Sequence, residues 1–415
     1  MLRVNRRYIS ICVLFCGLIC SNGLAQISSK NRTRSVRVFK TNFEYEKGKP
    51  IKGTFQPTIT STGNGTIHLF AQGRLYNSHD NTDKVLLYTK SLDYGNTWSE
   101  TEFLTPPGSF WGIASYVVED TVTGKEYINV IFAYSKVKLF ELYDELELES
   151  KFNINRASYS DTQTTILYQL TSIDNGTTWD RRVLKENFLS KYDQEGRYIS
   201  FFTPVGQINT VKSGPDRGRL LAGGAIKFAD EPLPDPQDIY DYNRTSSSFI
   251  YSDDQGESWQ LGGIAPIGGN EASVAEVSGD TLIMIRRRNK DYPETNRILN
   301  RSYDAGVSWT QNISIESLPS PKCLGILYED DGVFFYSTPV KKQRIRGWLA
   351  VSFDKGESWG GKIVYRGLFS YSDFERVKGT EYYIVAFARL HHGEFGLSVK
   401  RIHKDHLFDS HEQCD

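Results

Sequence analysis

Cysteine is scarce in this chain. Of five in 415 residues, Cys12, Cys16 and Cys20 fall at the extreme N-terminus, leaving only Cys323 and Cys414. One pair at most could form, so the fold does not rest on a disulfide framework. An excess of either charge is also missing: 49 Lys and Arg face 50 Asp and Glu, interspersed along the chain. That balance implies no polyanion-binding surface, and nucleic acid is not an expected partner. Long apolar runs are absent too. The only candidate, Ile9 to Cys20, falls short of the ~18–20 residues needed to span a bilayer, so no membrane span is expected. No nucleotide-binding fingerprint occurs.

The N-terminus instead reads as an export signal. Arg3, Arg6 and Arg7 precede the apolar run, and Gly23-Leu24-Ala25 offers small residues for cleavage before Gln26. Ile19 stands before Cys20 where a lipoprotein signal wants a small residue, which makes a lipid anchor the weaker option. The expected organisation is a signal over 1–25, a polar leader over 26–40, one body over 41–408 and a polar tail over 409–415, in a secreted chain. Six Asn-x-Ser/Thr sequons, at Asn31, Asn64, Asn175, Asn243, Asn300 and Asn312, would matter in a eukaryotic secretory host. With 39% hydrophobic and 13% aromatic residues the body can bury a large core, and 35 glycines with 24 tyrosines suit many short strands joined by turns.

What the body does have is a repeat. Ser-x-Asp-x-Gly-x-(Thr/Ser)-Trp occurs five times, at Ser91–Trp98, Ser172–Trp179, Ser252–Trp259, Ser302–Trp309 and Ser352–Trp359. Each copy has an Asp to hydrogen-bond its own backbone, a Gly for a positive φ and an aromatic anchor. Each follows a short run such as Val85 to Lys90 or Ser248 to Tyr251 that reads as a strand. The aspartates at 93, 174, 254, 304 and 354 lie 81, 80, 50 and 50 residues apart, which fits a module of the size of a four-stranded propeller blade. Lys136 to Arg156, rich in acids, interrupts the rhythm and reads as a short helix or an acidic hairpin inserted between blades. Asp230 to Tyr242, with Pro232, Pro234 and Pro236, is a second irregular loop.

The repeat is the Asp-box, and on it the chain resembles the sialidase superfamily. The resemblance implies an all-β, six-bladed β-propeller with the boxes as structural hairpin turns on the outer rim. Any chemistry then lies where strands from different blades converge. Removing a terminal sialic acid requires a grip on its carboxylate, a proton for the leaving oxygen and a nucleophile that the carboxylate does not repel. Sialidases use a Tyr made nucleophilic by a neighbouring Glu, and arginines hold the carboxylate through charge-assisted pairs.

Asn270-Glu271 through Arg286-Arg287 resembles the segment with the partner of the nucleophile, Glu271, and the second clamp arginine, Arg287. Gln343-Arg344, before the Ser352 box, resembles the segment with the third, Arg344. Tyr371-Ser372 resembles the nucleophile segment, and Phe70 to Arg74 followed by Asp80 the strand and loop that deliver the acid/base Asp. His79 and Asp83 stand as alternatives to Asp80, and Arg74 joins the substrate-binding set. The family's first clamp arginine has no counterpart: Thr54-Phe55-Gln56-Pro57 carries Phe55 at that position, with Gln56 the nearest polar substitute. Alternation sends Arg286 and Arg288 to the face opposite Arg287, where solvated surface is the default. His403-x-x-His406 and His391-His392 read as surface residues rather than metal ligands.

The expected function is therefore that of a secreted retaining exo-glycosidase of sialidase type, whose substrate is a terminal sialic acid or related 2-keto acid sugar on a glycan. Tyr371 is nucleophile, Glu271 its base, Asp80 the acid/base, and Arg287 with Arg344 the clamp. No cofactor is implied, and a monomer is expected. A propeller that binds glycans without cleaving them is the alternative that the missing arginine favours. A polysaccharide lyase that uses Tyr371 on a uronic acid is a third.

Overall fold

The computed structural model describes residues 35–39, 43–80, 82–136, 141, 143–152, 154–158, 165–184, 198–229, 245–289, 295–340, 343–391 and 394–408. The signal and leader up to residue 34, the Asp230 to Tyr242 loop, Asn31, Asn243, His392, Cys414 and the tail after 408 lie outside them.

The strands form antiparallel meanders. The first comprises Ile51–Ser61, Ile67–Leu75, Lys84–Ser91 and Glu102–Phe103. The second comprises Phe110–Glu119, Glu126–Ser135, Thr165–Ser172 and Asp180–Val183. The third comprises Tyr198–Pro204, Leu220–Ala229, Thr245–Ser252 and Gln260–Leu261. The fourth runs through Gly269–Ser278, Thr281–Arg288, Asn296–Ser302 and Ile313–Pro319. The fifth runs through Ile326–Asp330, Val333–Pro339, Ile345–Ser352 and Gly360–Leu368. The last has Ser372–Arg376, Tyr382–His391 and Glu394–His403, with Val36–Arg37 added outside.

The architecture is an all-β propeller, but its hydrogen bonding does not divide into six separate sheets. Four sheets stand alone as blades, and the first and last meanders share one eight-stranded sheet. The reason is a parallel contact, Gly53 to Phe395, that joins the first strand of the body to its last. Apolar clusters fill the seams. Phe70, Leu86 and Tyr88 meet Phe110 and Phe132 between the first two meanders, and Leu69 and Leu87 meet Ala386 and Leu397 between first and last.

The five Asp-boxes share one hydrogen-bond scheme. In each, the Ser hydroxyl donates to the Asp Oδ1 at 2.7–2.9 Å and accepts from the Gly N–H at 2.7–2.8 Å. The N–H of the residue before Trp donates to the same Oδ1 at 2.8–2.9 Å. The residue before each Gly, namely Tyr94, Asn175, Gln255, Ala305 or Lys355, also has a positive φ, of 56–60°. Two successive left-handed residues match the twist of a hairpin, and the Asp carboxylate holds the non-glycine member there. The Gly is also needed for space: a Cβ on Gly256 would lie 1.9 Å from the Tyr116 hydroxyl of the preceding blade.

The acidic segment does form a helix, Glu145–Phe152, opened by reciprocal hydrogen bonds between Asp144 and Glu147. It lies within the second meander, between Glu126–Ser135 and Thr165–Ser172, rather than between blades. Leu148 and Phe152, four residues apart, are its buried face. The connection leaves the sheet at the end where Phe110 and Trp111 begin the inner strand.

Closure between the first and last meanders is also made by two buried acids. Asp373 accepts from the Ile59 N–H at 2.9 Å, and Glu375 from the Ser61 N–H at 2.9 Å and the Gln207 side chain at 3.0 Å. These carboxyls satisfy strand-edge N–H groups that no ladder reaches. Burial pushes Asp373 up to about 7 and Glu375 up to about 8. The folded chain therefore keeps protons that the unfolded chain releases near pH ~4. Stability is expected to fall as pH rises from there through about 7 to 8, and to level off above. Thermal denaturation at about pH 6 and about pH 8.5, on either side of the shifted values, reads this: Asp373→Asn with Glu375→Gln should shrink the difference in Tm, and an unchanged difference counts against the assignment.

Candidate active site

Six of the predicted residues, Glu271, Arg287, Arg344, Tyr371, Arg74 and Asp80, lie in or beside the strands and share one electrostatic neighbourhood. Glu271 is carried by a bulge, since the ladder to Thr281–Arg288 shifts register between Gly269 and Ala272. Its carboxylate meets Arg287 Nη1 at 2.7 Å, and the same Nη1 donates to the Tyr371 hydroxyl at 3.4 Å. The Arg287 guanidinium thus stands between Glu271 and Tyr371, and no direct hydrogen bond joins those two among the described contacts. Arg287 Nε is buried without a partner. Burial works against the Arg287 charge, but Glu271 and then Tyr371 hold its pKa above the ordinary value.

Tyr371 immediately precedes Ser372–Arg376 and packs against Val205, Leu324 and Ile326. Burial, and then Glu271, raise its phenol well above the ordinary range, while Arg287 and Arg344 pull the other way. At rest it is a neutral phenol that needs a base to become a nucleophile. Arg344, with a positive φ of 57°, has its guanidinium 5.6 Å from the Tyr371 ring centre. It donates to the carbonyls of Pro321 and Lys322 and to the Ser370 hydroxyl.

Arg74, at the end of Ile67–Leu75, pairs with Asp80 at 2.5 Å and donates to the Ser78 carbonyl at 2.7 Å and to Gln72 at 3.0 Å. Burial lowers its pKa, opposed by Asp80 and Tyr371, so Arg74 and Tyr371 share one electrostatic neighbourhood. Of the three candidates on this loop, Asp80 is the one whose carboxylate meets Arg74. His79 donates its N–H to Asn77, and Asp83 accepts from the Leu75 N–H through its carbonyl.

Phe55 is not in the position expected of a clamp residue. It is 5% exposed, its ring lies 4.8 Å from that of Phe395, and the Arg74 guanidinium sits 4.0 Å above it. It is the support beneath Arg74. Gln56 has a positive φ of 47° and accepts from Gln72 at 3.3 Å. The chain bulges between Phe55 and Thr58, which turns Phe55 into the apolar seam.

Arg286 and Arg288 are not solvated surface either. Arg286 is fully buried, with hydrogen bonds to Ser247, Asn300, Asn312 and the Pro266 carbonyl, and Arg288 is held by the Asn296 carbonyl and Ser314. The face opposite Arg287 is covered by neighbouring chain, a fact that strand alternation does not contain. Asn300, at its sequon, is fully buried as well.

Sequence reasoning missed Lys84, a fully buried lysine opposite Arg74 in the strand ladder. A lysine opening a strand gave no signal of burial. Cys323, which the sequence left either free or paired with Cys414, is a buried thiol, free among the described residues, whose pKa is raised by burial. Among the described residues no group of three or more His, Cys, Asp or Glu is placed to hold a metal ion. His403 pairs with Asp405 at 3.2 Å. No helix among them is long and apolar enough to cross a membrane.

The family model described as a BNR repeat-like domain matches residues 151–384, which include Glu271, Arg287, Arg344 and Tyr371. The chain is 23% identical over 335 residues to a sialidase of Micromonospora viridifaciens, covering 76% of this chain and 47% of that protein. It is 25% identical over 305 residues to a sialidase of Paraclostridium sordellii, covering 71% of this chain and 64% of that one. The chain thus spans less than two thirds of either relative. Trypanosoma rangeli sialidase in complex with sialic acid shares the fold, with a TM-score of 0.62 at 18% identity over 89% of this chain and 58% of that one. With the repeat matched across more than half of its length on a propeller fold, the chain belongs to the BNR-repeat, sialidase-type propeller superfamily.

Proposed function

We propose that this chain is a secreted retaining exo-glycosidase that hydrolyses a terminal sialic acid or related 2-keto acid sugar from glycans. The observation that carries the reading is the half-buried Tyr371 beside the Glu271–Arg287 pair and Arg344, with Arg74 and Asp80 in the same neighbourhood. Tyr371 attacks the anomeric carbon as Glu271 takes its proton. A neutral phenol meets less repulsion from the substrate carboxylate than a carboxylate nucleophile would. Arg287 and Arg344 grip that carboxylate, and Asp80 protonates the leaving oxygen and then activates water. Arg74 orients Asp80. In this reading the eight-stranded sheet counts as two blades fused by the Gly53–Phe395 contact, which makes six in all.

A second reading, a propeller that binds acidic glycans without cleaving them, draws on one observation: the first clamp arginine is replaced by Phe55, which is buried. The two readings part in one assay. With 4-methylumbelliferyl sialoside and sialyllactose, the mature chain is expected to release the free sugar, and NMR should find the α-anomer first, because two displacements retain configuration. A β-anomer as first product, an unsaturated product or binding without release would overturn the reading.

A further inference from the structure

We propose that Lys84 is a positioning residue for the acid/base loop, holding the main chain of Asp80 while Arg74 holds its carboxylate. The inference rests on the reading of Asp80 as acid/base. Arg74 and Lys84 are direct cross-strand partners at the mouth of the hairpin that carries Asp80. Two like charges opposite each other destabilise a ladder, so each needs something else to hold. Arg74 takes the Asp80 carboxylate and the Ser78 carbonyl. Lys84 Nζ donates to the Asp80 carbonyl at 2.5 Å and lies 4.2 Å from the centre of the Trp111 ring, on the next meander. Its main chain exchanges both hydrogen bonds with Gly108. The ammonium thus links the loop to a second blade.

The environment of Lys84 is poor for a charge. Arg74 repels it from the facing strand, Asp80 and Asp83 offset this from the loop, and Trp111 and Gly108 close the other side. Burial first, then Arg74, push its pKa down to about 7. A buried ammonium with a carbonyl and a ring for company is costly, and an apolar residue of the same length would pack there without that cost. The contribution of Lys84 is therefore to be sought in what it holds. Its contact is to the backbone of Asp80, whose carboxylate is 57% exposed and, among the described residues, otherwise fixed by Arg74 alone. With both tethers the carboxyl has one place to be. With Arg74 alone, the loop can swing about that pair.

Leaving-group dependence separates positioning from general stability. An aryl sialoside departs without much protonation, whereas sialyllactose needs the acid. Lys84→Met keeps the length of the stem, and it is expected to lose about 10²-fold in kcat on sialyllactose, a typical share for general acid catalysis. On the aryl sialoside it should change little. Lys84→Arg, which keeps a cation over Trp111, should recover part of the loss. Hydrogen exchange over Tyr76 to Asp80 should be faster in Lys84→Met, with Tm near that of the parent. If Lys84→Met does not fold, Lys84→Gln carries the same comparison. Equal losses on both substrates, or no loss on either, overturn the inference and leave the glycosidase reading intact. If the parent cleaves neither substrate, the glycosidase reading fails, and exchange still decides the tether: unchanged exchange refutes it.

Discussion

Tyr371→Phe is expected to lower turnover by about 10³-fold or more while the chain stays folded, because the hydroxyl is the only atom removed and the ring keeps its packing on Val205, Leu324 and Ile326. Glu271→Gln should cost a comparable amount. It leaves the half-buried phenol, already held neutral by its surroundings, without a base. The informative variant is the double one. If the two act as a unit, Tyr371→Phe with Glu271→Gln should lose about as much as the worse single change rather than the product of both. Steady-state kinetics on an aryl sialoside, with Tm as the folding control, make the measurement. Turnover near that of the parent in Tyr371→Phe would remove the nucleophile from the scheme. Arg287 adds a second reading of the same variants. Glu271→Gln breaks a charge-assisted contact of 2.7 Å, so the Arg287 guanidinium becomes freer to meet a ligand carboxylate. KM should then fall or hold while kcat collapses.

Phe55→Arg is expected to destabilise the fold, not to restore a three-arginine clamp. The ring is buried between Phe395 and the Arg74 guanidinium. Replacing it forfeits a core aromatic, worth about 3–5 kcal/mol in comparable truncations, and places a second guanidinium against the first without a counter-charge. Thermal or denaturant unfolding should register the loss, with Phe55→Leu as a mild control. Affinity for a sialic acid transition-state analogue should drop with it, because Arg74 and Asp80 rest on this ring. A folded Phe55→Arg variant with tighter inhibitor binding would show that the position opens into the site after all. The contrast matters for substrate recognition: the structure leaves Arg287 and Arg344 as the guanidinium pair flanking Tyr371, and Arg74 committed to Asp80.

The Asp-boxes, the strand-rich body and the residues of the candidate site were legible in the sequence for different reasons. A box is a local object. Each of its hydrogen bonds spans four residues or fewer, so eight residues specify the turn wherever it is placed. Glu271, Arg287, Arg344 and Tyr371 were legible because segments around them resemble a known family, and the fold then brings 271, 287 and 371 into one contact chain. Nothing in their local sequence requires that.

Tertiary structure alone decided the rest. Arg286 and Arg287 are adjacent in one strand, yet Arg286 is fully buried among Ser247, Asn300 and Asn312 while Arg287 faces Tyr371. Alternation fixes which side each takes, but what covers that side comes from another strand. Phe55 leaves the clamp position because of a bulge and because Phe395, 340 residues on, supplies its partner. Lys84 is buried because Trp111 of the next meander lies over it. Asp373 and Glu375 are pushed to about 7 and about 8 because ring closure sets them against the edge of Ile51–Ser61. Hydrogen bonds within a turn are settled by neighbours in the chain. Burial, charge pairing and pKa are settled by neighbours in space, and in a closed ring those are supplied by segments at the other end of the chain, as Phe395 is for Phe55.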